Sequence, residues 1–499
     1  MGVVAALPAG ALYAVADLDA CTSWHAARGS CRFHHARLAQ PADHAGRGVT
    51  HPFRSCRAAM NTQDYESWGR LDRRPRQGIS PDDYEDRIGS IEPETFLPFG
   101  NGRSYGDSCH NDLGVLIDNR RHARILAFDP GTGMMTCEAG ITLGDVLARA
   151  IPHRFFLPVT PGTAFVTIGG ALANDVHGKN HHARGTFGNH VTGFTLLRSN
   201  GERLTCTPQE NPELFAATIG GMGLTGLILT VSLRLNKVPS PHVQQHAIRF
   251  DNLDEYFGLV DGVDEEHEYS VAWIDQLATG RRMGRGVLLA GDHADGSCEF
   301  PDMPKGMKLS VPFSPPFNLL NFATLKAFNE YYFRKEKPGE TVSTVPWTSY
   351  FYPLDAIGAW NRLYGPKGLY QHQSVYPAEN AREITAILMD TARRAGHASF
   401  LTVLKRFGNV ASRGLLSFPR PGFTLTLDFA NQGERTVKLL DRLDAIVIEA
   451  EGAINPYKDA RMSPQVFEKS FTSWRKLEAL RDPALTSNFW RRTALALSK

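Results

Sequence analysis

Residues 177–182 read HGKNHH and gather three histidines, a lysine and an asparagine around one glycine. Such a polar run suits three kinds of chemistry: a metal site, a catalytic acid–base cluster, or a loop that wraps around a cofactor. A metal would need His177 and His181 on one helical face, and Gly178 weakens a helix. Lys179 adds positive charge, and no nearby carboxylate or cysteine completes a ligand set. HGKNHH therefore predicts no metal site. It favours a cofactor-binding loop in which some side chains also act as acids or bases.

Two glycine-rich stretches could surround the same cofactor: GNGRSYG at 100–106 and PGTAFVTIGGALAND at 161–175. A glycine has no Cβ, so its backbone N–H group can approach an anion closely. Each stretch alone is equally well explained as a set of β-turns. Together with HGKNHH, the two stretches predict loops from separate parts of the chain that clamp the diphosphate of a cofactor.

A third glycine run, GGMGLTG, contains a literal G-x-G-x-x-G at Gly221, Gly223 and Gly226. The dinucleotide fingerprint needs a strand before the glycines and a helix after them. Here the helix-like PELFAAT comes first and the strand-like LILTVSL follows. We therefore interpret the run as a close-packed turn beside a cofactor or core. The chain also lacks a P-loop and a G-x-S-x-G elbow, which disfavours acyl transfer.

Length and composition limit the remaining possibilities. The chain has 499 residues and a formal net charge of +2, which predicts two or three domains and no nucleic-acid partner. No run of about 18 apolar residues occurs, so no membrane span is expected. The seven cysteines form no CxxC pair, a pattern typical of reduced thiols.

The elements that must position these residues follow an α+β pattern. Strand-like and glycine-rich segments alternate from about residue 94, and antiparallel strands follow from about Pro239. The Pro- and Phe-rich stretch 300–350 has weak periodicity and predicts mobile loops. Within it, FNLLNFATLKAFNEYYFRK fits either a buried helix or a surface that touches lipid. Residues 1–59 show no sustained period, and our hypothesis is a disordered tail or an over-extended gene prediction with Met60 as the initiator.

The runs FLPFGNGRSYGD, FLPVTPGTAFVTIGGALANDVHGKNHHARGTFGNHV and ELFAATIGGMGLTGLI resemble flavoproteins of the vanillyl-alcohol-oxidase type. Among these, the chain is most similar to the decaprenylphosphoryl-β-D-ribose 2-oxidase family, the FAD subunits of arabinose-forming epimerases. The resemblance covers roughly residue 65 to the C-terminus. It implies a PCMH-type FAD-binding domain split between 60–238 and 452–499, with an antiparallel-sheet substrate domain at 239–451.

The resemblance implies FAD as the cofactor. Many relatives attach the flavin through a histidine where this chain has Arg103, so non-covalent FAD is expected. The cofactor-binding residues that it implies are Gly100, Asn101, Gly102, Arg103, Ser104, Tyr105, Gly106, Pro161, Gly162, Thr163, Thr167, Gly169, Gly170, Asn174, His177, Gly178, Gly223, Gly226 and Ile228.

The implied activity is oxidation of the ribose 2-hydroxyl of a polyprenyl-phosphoribose to the 2-keto sugar, with hydride transfer to flavin N5. This is the first half of an epimerisation that makes an arabinose donor for cell-envelope glycans. Lys458 is expected to stabilise the departing proton or alkoxide, with His177 second and Tyr105 beside them. The implied substrate-binding residues are Lys179, Gln371, Gln373, Lys405, Phe407, Thr424 and Thr426.

Several observations bear on this expectation. Lys405 alternates with apolar residues on one strand face, where a lysine is costly without a partner. Thr424 and Thr426 replace an asparagine and a cysteine of mycobacterial members, which puts substrate detail in doubt but leaves the hydride chemistry intact.

An aldonolactone or alditol oxidase is the alternative enzyme, and a flavin-free binding or scaffold protein is the alternative from another class. The expected partners are a separate NAD-dependent keto-reductase and quinone or oxygen as electron acceptor. The expected place is the cytoplasm, with peripheral contact at the inner membrane.

Overall fold

The computed structural model describes residues 61–63, 65–88, 94–296, 309–316 and 318–497. The predicted tail at 1–59 therefore lies outside the described residues. The strands are, in chain order, β1 Asn61–Gln63, β2 Arg76–Ile79, β3 Phe96–Phe99, β4 Val115–Asp118, β5 Ile125–Phe128, β6 Met134–Glu138, β7 Phe155–Phe156, β8 Val191–Leu197, β9 Arg203–Cys206, β10 Leu227–Arg234, β11 Asn236–Lys237, β12 Val243–Phe250, β13 Tyr269–Ile274, β14 Gly286–His293, β15 Leu309–Ser310, β16 Gly339–Val345, β17 Ile357–Gly358, β18 Leu369–Tyr376, β19 Val403–Phe407, β20 Gly422–Ala430 and β21 Ala453–Ile454.

The helices are mostly short, and several begin at a side-chain cap. Thr142, Asn252 and Ser463 each accept a backbone N–H bond at a helix start. In chain order the helices are α1 Pro81–Arg87, α2 Leu143–Ala150, α3 Ile168–Ala173, α4 His181–Arg184, α5 Pro212–Thr218, α6 Leu253–Glu266, α7 Phe322–Lys335, α8 Trp347–Phe351, α9 Ala381–Arg394, α10 Glu434–Glu449, α11 Pro464–Ser470, α12 Trp474–Leu480, α13 Asn488–Arg492 and α14 Ala494–Leu497.

Two sheets form in the first half of the chain. One is mixed, with the order β1-β2-β4-β3, and the other is antiparallel, with the order β5-β6-β10-β8-β9. The C-terminal segment returns to the first sheet, because Phe96 bridges to Leu485 and the Arg492 guanidinium lies 2.8 Å from Asp107. Helix α5 precedes the GGMGLTG turn and β10 follows it, which confirms that this turn is not a dinucleotide fingerprint.

The second half builds an eight-stranded antiparallel sheet with the order β16-β12-β14-β13-β19-β20-β18-β21. Its two faces differ, because successive side chains of a strand point to opposite sides. Leu425 and Leu427 of β20 are buried in the same apolar cluster as Leu388 of α9 and Leu443 of α10. The alternate residues of β20 therefore face away from these helices, toward the HGKNHH segment. The mixture of helices and antiparallel sheets confirms the α+β fold class.

The prediction of mobile loops over 300–350 is wrong for its second half. This part forms α7, β16 and α8, and the helix buries Leu325, Phe328 and Phe333. The periodicity was weak because the opposite face of α7 also carries apolar residues, including exposed Phe322 and Tyr331. Across the described ranges, no helix combines the length and apolar character needed to cross a membrane.

Candidate active site

The two glycine-rich loops lie against each other. A Cβ on Gly100 would come within 2.5 Å of Thr167 Oγ1, so glycine is required for this approach. Asn101 Nδ2 donates to the carbonyl of Phe165 at 2.9 Å. Arg103 extends the contact, with its guanidinium 5.2 Å from the Phe165 ring. Asn101 and Phe165 are 64 residues apart in sequence, and the two loops that contain them form one surface.

This surface presents free backbone donors. The N–H groups of residues 101–104 and 162–163 donate to no protein acceptor in the described part of the chain. Consecutive N–H groups without protein acceptors can bind an anion. A Cβ built on Gly162 would meet no atom within 4 Å, so this loop is open on that side. The residues present therefore fit the diphosphate of FAD.

The other residues of these loops shape the backbone. Thr163 Oγ1 accepts from the N–H of Phe165 at 3.3 Å, and Thr167 Oγ1 accepts from that of Gly170 at 3.2 Å. Asn174 closes α3 by donating to the Gly170 carbonyl at 2.8 Å. Gly102, Ser104, Pro161 and Gly169 lie in the same two loops, and Gly178 lies in the HGKNHH segment.

At two further positions, Gly106 and Gly226, close packing leaves no room for a side chain. A Cβ on Gly106 would lie 1.6 Å from the Asp459 carbonyl oxygen, which brings the first loop against the segment of Lys458. Gly226 has a φ of +153°, and a Cβ there would meet Leu196 at 2.7 Å. Together with buried Ile228, the nearby turn packs on the core. Gly223, next to Pro98, has a φ of +74°.

Arg103 stands at the position on which the expectation of non-covalent FAD rests. Its guanidinium lies 4.5 Å from the ring of Trp68, on which it stacks. The Nε atom is buried without a hydrogen-bond partner in the described residues, and burial lowers the pKa of the guanidinium while Asp355 opposes the shift. Arginine offers no nucleophile for a covalent flavin link.

His177 is the centre of the polar site. Its Nε2 lies 3.0 Å from Gln373 Nε2, and its Nδ1 lies 3.1 Å from Lys405 Nζ. The Phe407 ring packs edge-on against the imidazole, with the ring centroids 4.8 Å apart. Burial, and then the charge of Lys405, lower the pKa of His177 well below its ordinary value. The imidazole is therefore neutral at physiological pH.

The eight-stranded sheet supplies most of the facing side chains by register. Gln373 is opposite Thr426, and Lys405 is opposite Thr424, so these residues share one face. Gln373 Nε2 also donates to Thr424 Oγ1 at 3.1 Å. The structure thus brings the predicted residues of β18, β19 and β20 together around His177.

Three lysines enter this region with few counter-charges. Burial lowers the pKa of both Lys179 and Lys405 to about 7, and the other lysines add to the shift. Lys179 donates to the carbonyl of Tyr350 and lies 4.2 Å from the ring centroid of that tyrosine. Burial also lowers the pKa of Lys458, although nearby Asp428 opposes the shift. An anionic ligand would relieve this repulsion.

Lys458, Tyr105 and Gln371 gather around Asp428. Lys458 Nζ lies 4.1 Å from the centroid of the Tyr105 ring, and Gln371 Nε2 donates to Asp428 Oδ1 at 2.5 Å. Tyr364 donates to the other carboxylate oxygen at 3.4 Å. Burial raises the pKa of Asp428, and burial followed by the Asp428 charge raises that of Tyr105.

Three residues of this site, Asp428, Asn455 and His181, are not among the predicted site residues. Asp428 shares strand parity with Thr424 and Thr426, and this parity could have identified it. Asn455 donates to Gln373 Oε1 at 2.8 Å, but no local pattern marks it. His181 is buried against the Phe407 ring, and both of its ring nitrogens lack a partner among described residues.

His182 instead donates from Nε2 to the His267 carbonyl at 2.9 Å, and Asn180 donates to the Pro158 carbonyl at 2.8 Å. These two residues of HGKNHH therefore fix the loop. Within the ranges that the structure describes, no group of three or more His, Cys, Asp and Glu side chains is placed to hold a metal ion.

Comparison with known proteins assigns the chain to a family. The FAD binding domain model matches residues 91–207, which contain both glycine loops and HGKNHH. The decaprenylphosphoryl-β-D-ribose oxidase of Mycolicibacterium smegmatis is 35% identical over 401 residues, which are 77% of this chain and 85% of that protein. This chain belongs to the decaprenylphosphoryl-β-D-ribose oxidase family. Members of this family bind FAD, and the chain is an FAD-dependent oxidoreductase.

Other relatives agree over different lengths. An uncharacterized protein of Streptomyces coelicolor is 30% identical over 377 residues, 71% of this chain and 100% of that protein. Bovine L-gulonolactone oxidase is 33% identical over only 165 residues, 32% of this chain and 36% of that oxidase. The sugar-lactone oxidase thus matches a third of the chain, whereas the ribose oxidase matches three quarters.

Proposed function

We propose that this enzyme oxidises the ribose 2-hydroxyl of a polyprenyl-phosphoribose to the 2-keto sugar. The observation that carries the proposal is the cluster of buried, mutually repelling lysines Lys179, Lys405 and Lys458, because a phosphate ester supplies the counter-charge that this cluster lacks. The extended similarity to a decaprenylphosphoryl-β-D-ribose oxidase supports the same substrate class.

Bound FAD supplies the hydride acceptor for the sugar C–H group. The residues of the chain hold the sugar and manage the hydroxyl proton. Lys458 is the group that stabilises the alkoxide oxygen, since its ammonium is buried beside Tyr105. Gln371 and Gln373 lie on one face of β18 and can hydrogen-bond the sugar hydroxyls. The Phe407 ring packs edge-on against His177.

The FAD is non-covalent in this proposal, because Arg103 replaces the linking histidine. Acid precipitation of the purified protein tests this point. The flavin colour should pass into the supernatant, and a yellow pellet with a colourless supernatant would contradict non-covalent binding.

The proposal divides the chain into an FAD-binding part at 60–238, a substrate part at 239–451 and a return at 452–499. The separation of the strands into different sheets before and after residue 239 supports the first limit. The ion pair between Arg492 and Asp107 supports the return of the tail.

The proposed setting is the cytoplasm with peripheral contact at the inner membrane, where a lipid-linked substrate resides. Exposed Leu309, Phe313, Phe322, Tyr331 and Val342 lie within one stretch of sequence and support a lipid-facing surface. A separate NAD-dependent keto-reductase completes the epimerisation, and quinone or oxygen reoxidises the flavin.

Anaerobic reduction of the bound flavin separates this function from its alternative. The holoenzyme should bleach rapidly with a polyprenyl-phosphoribose and slowly, or not at all, with free ribose and aldonolactones. Rapid bleaching by aldonolactones with none by the lipid phosphoribose would favour a lactone oxidase instead.

A further inference from the structure

A chain of hydrogen bonds connects the loop that follows β21 to His177, and the donor of each bond can be assigned. The N–H of Tyr457 donates to Asn455 Oδ1 at 3.0 Å. A backbone N–H can only donate, so this bond fixes which end of the Asn455 amide is oxygen. Asn455 must then present its Nδ2 to Gln373, whose Oε1 accepts at 2.8 Å.

The orientation of Asn455 also fixes the amide of Gln373. With Oε1 occupied, the Nε2 group donates one hydrogen to Thr424 Oγ1 at 3.1 Å and the other to His177 Nε2 at 3.0 Å. An amide nitrogen is not an acceptor, so His177 Nε2 must accept and carries no proton. The neutral imidazole is therefore protonated at Nδ1.

The Nδ1–H group of His177 faces Lys405. Lys405 Nζ lies 3.1 Å from Nδ1 and 3.3 Å from the Gly178 carbonyl. An ammonium has three donors and no acceptor, so it cannot receive this N–H, whereas a neutral amine can. The 3.1 Å contact between Nδ1 and Nζ therefore favours an uncharged Lys405 when His177 is the Nδ1–H tautomer.

The electrostatic surroundings agree with this state. Lys458 lowers the pKa of Lys405 beyond the effect of burial, and His177, Lys179 and His181 are the other titratable groups that interact with it. The lowered pKa of His177 excludes the imidazolium, which would put protons on both ring nitrogens.

We propose that Asn455 is a positioning residue that holds His177 as the Nδ1–H tautomer through Gln373, and that this keeps Lys405 as the neutral amine that accepts the sugar hydroxyl proton. The inference rests on the proposed function for the identity of the hydroxyl. The sugar O–H displaces the His177 N–H from the Nζ lone pair. Its O–H bond then breaks and an N–H bond forms at Nζ. The electron pair of the O–H bond becomes the second carbon–oxygen bond of the ketone, and the hydrogen on the same carbon would leave as hydride, for which bound FAD is the acceptor. Lys405 returns its proton to solvent.

In this proposal His177 and the lysines have different roles. His177 is not a base, because its Nε2 lone pair is bonded to Gln373. Lys458 supplies the positive charge, and Lys179 is left as the lysine for the phosphate.

The tautomer can be measured directly in the holoenzyme without substrate. Long-range proton–nitrogen correlation spectra of ¹⁵N-histidine-labelled protein, with His177 assigned by its absence in His177→Gln, should show Nδ1–H and a bare Nε2. In Asn455→Asp the carboxylate only accepts, so Gln373 should reverse and His177 should become the Nε2–H tautomer. Gln373→Glu should have the same effect and covers the case in which Asn455→Asp does not fold.

Asn111→Asp is the matched control, because Asn111 is equally buried and its Oδ1 accepts from the Arg491 guanidinium. It should leave the His177 tautomer unchanged. The acidic limb of the kcat–pH profile should move to higher pH in Asn455→Asp, as Lys405 becomes a hydrogen-bonded ammonium, and stay in place in Asn111→Asp.

An Nε2–H tautomer or an imidazolium in the unmodified enzyme at neutral pH would overturn the inference. So would an unchanged tautomer in every folded Asn455→Asp or Gln373→Glu protein. A correct tautomer with no flavin bleaching by polyprenyl-phosphoribose would instead reject the proposed function and leave the tautomer assignment standing.

Discussion

At the residue scale, Lys458 connects the two loops to the sheet. Its ammonium lies over the Tyr105 ring, and the carboxyl group of Asp428 is the nearest opposing charge. A cation held in a site with little water stabilises a developing alkoxide far more strongly than it would in bulk solvent. Lys458 is therefore expected to provide most of the electrostatic stabilisation of the alkoxide.

Replacement of Lys458 by methionine should lower kcat about a hundredfold or more, because the alkoxide loses its cation while the packing volume is kept. FAD content should be unchanged, since the unpaired N–H groups of the two loops are intact. Stopped-flow flavin reduction gives the rate, and Lys438→Met, at an exposed lysine of α10, is the control. A reduction rate near that of the unmodified enzyme would remove Lys458 from the mechanism.

The buried lysines also predict how stability depends on pH. Lys179 and Lys405 have a pKa of about 7 when folded, against 10.5 for an ordinary lysine. Between these values the unfolded chain binds more protons than the folded chain, so the free energy of unfolding increases as pH rises. Each lysine contributes at most about 1.4 kcal/mol per pH unit.

Urea unfolding of the FAD-free protein from pH 7 to about pH 8.5 should show this increase. Lys179→Met should make the dependence shallower, because one of the two titrating groups is removed. A free energy of unfolding that falls with pH over this window would contradict the assignment of these lysines as buried and partly neutral.

At the element scale, hydrogen bonds to Asp175 hold the loop after β19 near the HGKNHH segment. This buried carboxylate accepts from the hydroxyls of Ser412 and Ser417 and from the N–H of Gly188 at 2.8 Å. The same loop carries Phe418, whose ring centroid lies 6.3 Å from that of His177. The loop therefore brings an aromatic ring near the imidazole of His177.

Asp175→Ala should lower the free energy of unfolding by about 3 kcal/mol, because it leaves two hydroxyls and an amide buried without their acceptor. Thermal unfolding with and without FAD measures the loss. Asp254→Ala, at an exposed carboxylate of α6, is the matched change and should leave the Tm nearly unaltered. Equal effects of the two substitutions would reject the supporting role of Asp175.

The sequence predicted the elements that carry strong local patterns. Alternation marked β18, β19 and β20, and the helix-before-strand order at GGMGLTG correctly excluded a dinucleotide fingerprint. A helix was one of the two interpretations of FNLLNFATLKAFNEYYFRK, and α7 confirms it, although its exposed face also carries Phe322 and Tyr331. Strand β16 was missed because the 300–350 stretch as a whole has weak periodicity.

The site was predictable only in part. His177 and the lysines lie in distinctive motifs, and Asp428 could have been found from strand parity. Asn455 could not, because its importance depends on a backbone N–H of Tyr457 and on β21 pairing with β18, which no local pattern encodes.

At the scale of the whole molecule, the exposed apolar residues are unevenly distributed. Phe313 is 63% exposed, and Phe322, the first residue of α7, is 43% exposed; the buried face of α7 packs in the apolar cluster that contains Leu277 and Phe400. The proposed function places the polyprenyl chain in a lipid bilayer, and these exposed aromatic side chains suit insertion into a bilayer interface.

Phe313→Ser with Phe322→Ser should reduce binding to anionic phospholipid vesicles about tenfold or more, because two phenylalanine rings no longer leave water. Flotation assays measure the bound fraction. Leu126→Ser, at a leucine of β5 that is 49% exposed, should not change it. Equal vesicle binding by all three proteins would reject this surface as the lipid contact.

The central claim is oxidation at the ribose 2-carbon of a lipid-linked phosphoribose. Single-turnover reduction of the bound flavin, with substrate deuterated only at that carbon, tests it most directly. Breaking the C–D bond should slow flavin reduction measurably relative to unlabelled substrate, and deuterium at the neighbouring carbons should not. Equal rates for the 2-deuterated and unlabelled substrates, with slower reduction on deuteration elsewhere, would contradict the account.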